Sequence, residues 1–317
     1  MRKFGVMTLA FLLVCSSFVW SAATVEVPAY PTKTINLVIP FSAGGGTDAV
    51  GRALAHSLEK QLGKSVVVVN KTGGSGAIGM TFGATSAPDG YTITMVTREI
   101  ISLPLMGLAQ IDHKDFDLIR LVNMDPALLC VKPGSKYEDI DVLFADAEKS
   151  PGSVKFASPA APNLYILAIE NSLGLSFNHI PYNGASEAIP SVMGGHTDFV
   201  IAGPGELIGQ IESGQLVPVA IMAPQRFDAL PNVPTFSELG YNIISGTWRG
   251  LGVPKGTPVE IRTRLEDAFD KAIKDAEFVS FMKKAKLGIY NLSAIEFGEF
   301  IDSDTATIKT IVENLNK

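Results

Sequence analysis

The sequence is poor in the residues that build reactive or cross-linked sites: it has two cysteines, four histidines and two tryptophans in 317 residues. Cys15 lies in a stretch with the marks of an export signal. Arg2 and Lys3 precede the apolar run from Val6 to Val14, and Ser21, Ala22 and Ala23 offer small residues for cleavage. Residues 1–23 are therefore read as a signal peptide that directs the chain to the periplasm, with the mature protein starting near Thr24. A lipid anchor on Cys15 is disfavoured, because Val14 stands where a small residue belongs. Cys130 is then alone in the apolar run ALLCV, which excludes an intramolecular disulfide and suits a small core residue.

After the signal, no segment reaches the roughly 18 apolar residues of a membrane span. Positive charge is also short. Without Arg2 and Lys3 the chain keeps 24 basic residues against 32 acidic ones, a net charge near −8. That balance argues against nucleic acid or an anionic membrane surface as partner. An anion would have to be bound locally, by backbone dipoles and one or two arginines. His56, His113, His179 and His196 form no HExxH pattern and sit beside no cysteine or carboxylate at ligand spacing, so no metal site is expected.

What is present is a strand, a glycine loop and a helix in succession. Ile35 to Ile39 is a short apolar run ended by Pro40, which suits a buried strand. Ser42, Ala43, Gly44, Gly45 and Gly46 make the turn. Thr47 and Asp48 are good N-cap types, and Val50, Leu54, Leu58 and Leu62 follow at helical spacing, with Gly63 as the stop. Such a loop lets backbone approach a ligand closely, and the first-turn N–H groups attract an anion. On this reading Gly45 needs glycine-only backbone angles, and Gly45→Val should abolish binding. The plainer alternative is a βα turn whose glycines serve tight geometry alone.

The unit repeats. Val66 to Val69 is a strand, NKTGGSG a turn, Ala77 to Ser86 a helix and YTITMV a strand, followed by Thr97 and Arg98. A β-α-β-α-β order predicts a parallel sheet, and the loops after Ile39, Val69 and Val96 should share one crevice. Two extended segments, DLIRLV and ALLCVKP, leave that sheet. Helical and extended stretches then alternate to Ala223, a second sheet. After a loop-rich segment, TWRGLGVP is extended, and three helical stretches close the chain. This order suggests two lobes with a cleft between them: residues 24–133 plus 247–317 in lobe 1 and 134–246 in lobe 2. The hinge is expected near Ala127 to Val131 and Trp248 to Val253.

No complete catalytic set emerges. Gly44 to Ala49 and Gly74 to Gly79 imitate a dinucleotide fingerprint, but Asn70 stands at the end of the second strand where a ribose-binding acid is needed, so no cofactor is expected. Ser75 in GGSGA falls one residue short of a nucleophile elbow. Asp48 could act as a base, but its first-turn position suits a helix-dipole partner better. Glycine loops on two facing lobes, without nucleophile, metal or cofactor, describe a clamp.

The run YPTKTINLVIPFSAGGGTDAVGRALAHSLEKQLGKSVVVVNKTGGSGAIGMTFGATSAPDGYT resembles the opening of the periplasmic solute receptors of tripartite tricarboxylate transporters, the Bug-type or TctC-like proteins. The likeness continues through KDFDLIRLV, HIPYNGASEAIPSVMGGHTDF, RFDALPNVPTFSELGY and GLGVPKGTP. It implies an α/β, two-lobed periplasmic binding protein-like fold of type II, with two doubly wound sheets joined by a two-segment hinge. It also implies a monomer that delivers a small organic carboxylate to membrane permease subunits and is not an enzyme.

In that family the ligand's proximal carboxylate is held by the first glycine loop and by loops of the other lobe. The matching positions are Phe41, Ser42, Ala43, Gly44, Gly45, Gly46, Thr47 and Asp48, with Thr97, and across the cleft Ser158, Ala160, Asn163, Tyr182, Asn183, Gly184 and Gly203. Two departures stand out. The second-lobe loop reads SPAAPNLY, with Asn163 where the family has a serine, and Arg249 replaces an aromatic after the tryptophan. Arg249 is expected to meet a second carboxylate at the ligand's far end, the alternative being a surface arginine on a hinge strand. Two other functional classes remain at this stage: an exported hydrolase acting on a carboxylate compound, and a ligand-binding component of a sensor.

Overall fold

The computed structural model describes residues 30–315, so the expected export signal, Cys15 included, lies outside the described residues. The chain runs β1 (Ile35–Ile39), α1 (Gly46–Leu62), β2 (Val66–Asn70), α2 (Ala77–Ala84), β3 (Thr92–Thr97), α3 (Glu99–Leu105) and β4 (Phe116–Pro126). It continues with β5 (Leu128–Val131), α4 (Ile140–Lys149), β6 (Lys155–Ser158), α5 (Leu164–Leu173), β7 (Asn178–Pro181), α6 (Ala185–Met193), β8 (Phe199–Ala202), α7 (Pro204–Glu212) and β9 (Val217–Ile221). Last come β10 (Gly246–Pro254), α8 (Val259–Ala272), α9 (Ala276–Lys284), β11 (Leu292–Ser293) and α10 (Ala294–Leu315).

Two sheets organise these elements. The first has the order β11-β4-β10-β3-β1-β2 and the second β7-β6-β8-β5-β9. In the first, β1 is parallel to β2 and β3, while β10 runs antiparallel between β3 and β4. In the second, β6 is parallel to β7 and β8, while β5 runs antiparallel to β8 and β9. Helices cover both faces of each sheet, which is why central strands such as β1 (INLVI), β5 (LLCV) and β8 (FVIA) are nearly continuous apolar runs. Val50, Leu54, Leu58 and Leu62 of α1 are all buried against Ile35, Leu37 and Ile39 in one core cluster. Each such side chain contributes about 1.5–3 kcal/mol by leaving water.

The crossings between sheets differ from the sequence reading. All of β5 pairs within the second sheet, so the first crossing falls at Ala127, between β4 and β5. An apolar run such as ALLCV carries no mark of which sheet it joins. The second crossing lies between β9 and β10. Trp248 to Val253 sits inside β10 and pairs with β4 along its length, so it belongs to the first sheet and not to the crossing between sheets. Ala127, Met222 and Ser245 tie the crossings together: Ala127 N–H donates to Ser245 O at 2.9 Å, and Met222 N–H to Ala127 O at 2.7 Å. Asp304 of α10 braces the joint by accepting from Arg98 Nη2 at 2.7 Å and Trp248 Nε1 at 2.8 Å. Cys130 is fully buried in β5, and burial pushes its thiol pKa up.

The third βα unit also holds a helix the sequence did not announce. Pro104 in TREIISLPLM hid α3, which the chain accommodates because Pro104 lies one residue from the helix end.

Candidate ligand cleft

The loop after β1 and the first turn of α1 form one wall of the cleft. The N-cap of α1 is Gly45, two or three residues before the expected Thr47 or Asp48, and it makes no side-chain cap bond. Gly45 has φ −79° and ψ 171°, extended backbone open to any residue, and a methyl group there would meet Ser42 O at 3.5 Å and Glu206 Oε1 at 3.9 Å, both ordinary contacts. The expectation that Gly45 needs glycine-only angles is therefore corrected. Glycine is required instead at Gly44, with φ +80°, and at Gly46, where an added Cβ would lie 2.7 Å from Glu206 Cγ.

Asp48 sits beneath this loop and fixes its shape. Its carboxylate accepts from Gly44 N–H at 2.9 Å, Arg52 Nε at 2.8 Å and Asn70 Nδ2 at 2.9 Å. Burial works against its charge, but these donors outweigh it and hold the Asp48 carboxyl below the usual range. The loops after β1 and β2 are thereby joined, since Asn70 Nδ2 also donates to Phe41 O.

The opposite wall comes from the second sheet, and the two lobes touch through polar contacts. Ser42 Oγ meets Ser186 Oγ at 2.8 Å, and Ser42 N–H donates to Asn183 O at 3.3 Å. Gly184 allows this approach, because a Cβ there would fall 2.4 Å from Ser42 Oγ. Ser75 Oγ lies 2.6 Å from both Ala161 N and Ala161 O, so the near-elbow serine is spent on bridging the lobes.

The central bridge is Glu206, in the first turn of α7. Its Oε2 accepts from Gly203 N–H at 2.9 Å, the reach-back of a helix cap. Its Oε1 accepts from Gly46 N–H at 2.8 Å, across the cleft and at the N-terminus of α1. Arg249 Nη2 lies 4.0 Å from the same oxygen. The chain thus seats one of its own carboxylates where helix dipole and guanidinium both favour an anion.

Arg249 is 2% exposed, which excludes the surface arginine considered from sequence. Its Nη1 donates to Asp125 Oδ2 at 2.7 Å and to Asn123 Oδ1, and its Nε to Thr47 Oγ1 at 3.0 Å. Burial opposes its charge, but Asp125 and Glu206 outweigh burial and raise its pKa. Only Nη2 is left facing the cleft.

Of the residues singled out by sequence, Phe41, Ser42, Gly45, Gly46, Thr47, Thr97, Ala160, Asn163, Gly184 and Arg249 line this cleft. Asn163 does so while capping α5, its Oδ1 accepting from Tyr165 N–H at 3.0 Å. Ala43, Gly44, Asp48, Ser158, Tyr182, Asn183 and Gly203 are not part of the lining: Ala43, Gly44 and Asn183 are exposed at its edge, and Asp48 and Ser158 are buried. Ser158 Oγ donates to Ala160 O, and Tyr182 OH donates to Ser191 Oγ at 2.8 Å. The lining also includes Glu99, Pro159, Tyr165, Ala185, Ile201, Ala202, Glu206 and Thr247. Pro159 and Ala202 lie in two of the second-lobe loops that the family resemblance matches, Ser158 to Asn163 and Ala202 to Gly205, but the others were not singled out. Glu99 follows directly on Thr97 and Arg98 at the end of β3, so the crevice rule could have reached it. The cavity is about 50 Å³, room for a few water molecules. Among the described residues no group of three or more His, Cys, Asp or Glu is placed to hold a metal.

Two mixed α/β sheets, each covered on both faces, joined by two crossings and closed on a polar cleft, define a two-lobed periplasmic binding protein-like fold. Residues 50–317 match the family model described as "Tripartite tricarboxylate transporter family receptor", and the chain belongs to that family of solute-binding receptors. The chain is 32% identical over 266 residues to protein BugT of Bordetella pertussis, covering 81% of this chain and 82% of that protein. A solved TctC solute-binding protein from Polaromonas is 33% identical, with a TM-score of 0.65 over 90% of this chain and 99% of that one. MatC from Rhodopseudomonas palustris, solved with bound malate, shares the fold with a TM-score of 0.84 at 22% identity, over 89% of this chain and all of that one.

Proposed function

We propose that this chain is an exported periplasmic receptor that captures a small organic carboxylate between its lobes and delivers it to the membrane permease subunits of a tripartite transporter. It acts as a monomer and carries out no reaction of its own. The observation that carries this reading is the Glu206 carboxylate on Gly46 N–H at 2.8 Å. An internal carboxylate marks a position that an external one can take, with Arg249 beside it and Gly46 as the donor. The cavity of about 50 Å³ is too tight for a multi-carbon acid alongside Glu206, so binding requires Glu206 to swing aside or the lobes to part. The malate-bound relative with the same fold supports a carboxylate as the ligand class.

A thermal-shift screen of the refolded protein against mono-, di- and tricarboxylates tests the reading. At about 100 times its dissociation constant a ligand adds roughly 2.7 kcal/mol. That should raise the melting temperature by several degrees in a chain of this size. If no carboxylate shifts the transition, the proposed function is wrong.

A further inference from the structure

Three ionisable side chains other than tyrosine line the cleft: Glu99, Glu206 and Arg249. The Arg249 charge is shared between Asp125 at 2.7 Å and Glu206 at 4.0 Å. Glu99 forms no ion pair among the described residues, so the lining holds two carboxylates against one cation that Asp125 already pairs. Glu206 spends both oxygens on backbone N–H groups, those of Gly46 and Gly203. Glu99 keeps one oxygen bare: its Oε2 is buried and has no hydrogen-bond partner among the described residues. A buried acceptor left bare is costly, and at the wall of a cleft its donor comes from what enters the cleft, water or a ligand group.

Burial pushes the Glu99 carboxyl above the usual range, against the pull of Thr97, its own N–H, Arg249 and Arg98. The neighbouring Tyr165 phenol is pushed up as well, first by burial and then by Glu99. Both directions come first from burial, so a bare negative charge in this pocket is poorly solvated. A dicarboxylate would bring two more negative charges into it, where Gly46 N–H can receive one carboxylate and Arg249 is the one cationic side chain among the described lining residues. An ammonium group instead supplies both the missing donor and the missing charge.

Resting on the carboxylate reading above, we propose that Glu99 receives an ammonium group, so that the ligand is a small amino acid and not a dicarboxylate. One end of such a zwitterion takes the place of the Glu206 carboxylate at Gly46 and Arg249. The other end neutralises Glu99. Selectivity then comes from Glu99, and the glycine loop supplies the general affinity for an acid.

The test is titration calorimetry with the α- and ω-amino acids of three to five carbons, and with the unsubstituted monoacids and diacids of the same lengths. Wild type should bind at least one amino acid about tenfold or more tighter than both matched acids. Glu99→Gln, checked for folding by its circular dichroism melt, should lose at least about tenfold of that preference. A diacid preferred by wild type would overturn the proposal and leave the carboxylate receptor standing. So would an unchanged preference in the folded variant. If no compound of any class binds, the carboxylate reading itself falls, and if the variant does not fold, the wild-type order of affinities decides alone.

Discussion

Arg249→Ala should lower the melting temperature by on the order of 10 °C. The guanidinium is paired at 2.7 Å with Asp125, and both side chains are almost fully buried, at 3% and 2% exposure. Taking away one partner of a buried pair leaves the other charge unpaired, at a cost of about 3–5 kcal/mol. Asn123 and Thr47 would lose their partner as well, and Thr47 belongs to the first turn of α1, so the damage reaches the glycine loop. Exchanging both members, with Arg249→Met and Asp125→Leu together, should recover part of the loss. Recovery stays partial because Asp125 Oδ1 also accepts from Gly288 N–H at 2.7 Å. Thermal denaturation followed by circular dichroism measures both variants, and a loss below about 1 kcal/mol for Arg249→Ala would place the pair among the weak surface type.

Gly46→Ala should separate binding from folding. Gly46 is the first residue of α1 and has helical backbone, so alanine suits the helix itself, and the strain falls on the side chains of Glu206 and Arg249 that must shift. A circular dichroism melt of the variant selects the folded protein for the binding measurement. The added methyl group, however, falls 2.7 Å from Glu206 Cγ and 2.9 Å from Arg249 Nη2, in the space an anion needs to reach the N–H. Losing one charge-assisted hydrogen bond costs about 1.5–3 kcal/mol, a drop of about ten- to a hundredfold in carboxylate affinity. Calorimetry on the folded variant measures the drop. Wild-type affinity would mean that the ligand does not use this N–H.

The regular parts of this fold were legible because local pattern decides them. The apolar runs at Ile35, Val66 and Thr92, and the helical spacing from Val50 to Leu62, became β1, β2, β3 and α1 where the sequence placed them. The glycine loop was legible for the same reason, as a turn between two strong local signals. What the sequence hid depends on distant partners. Glu206 reads as one more first-turn acid of α7, and nothing in its neighbourhood says that its second oxygen crosses to Gly46, 160 residues away. Arg249 stood out as a substitution after Trp248, but its burial comes from Asp125, which local spacing does not connect to it. Glu99 escaped because Pro104 broke the helical pattern of α3. The N-cap was misplaced by two or three residues because Thr47 and Asp48 have the right side chains, while Gly45 has the right backbone.

The most direct measurement is the position of a bound carboxylate in a crystal structure of the complex. The expected result places a ligand oxygen within about 3 Å of Gly46 N, with Arg249 Nη2 beside it and the Glu206 carboxylate moved from that site. A ligand bound elsewhere, with Glu206 still on Gly46 N–H, would contradict the account.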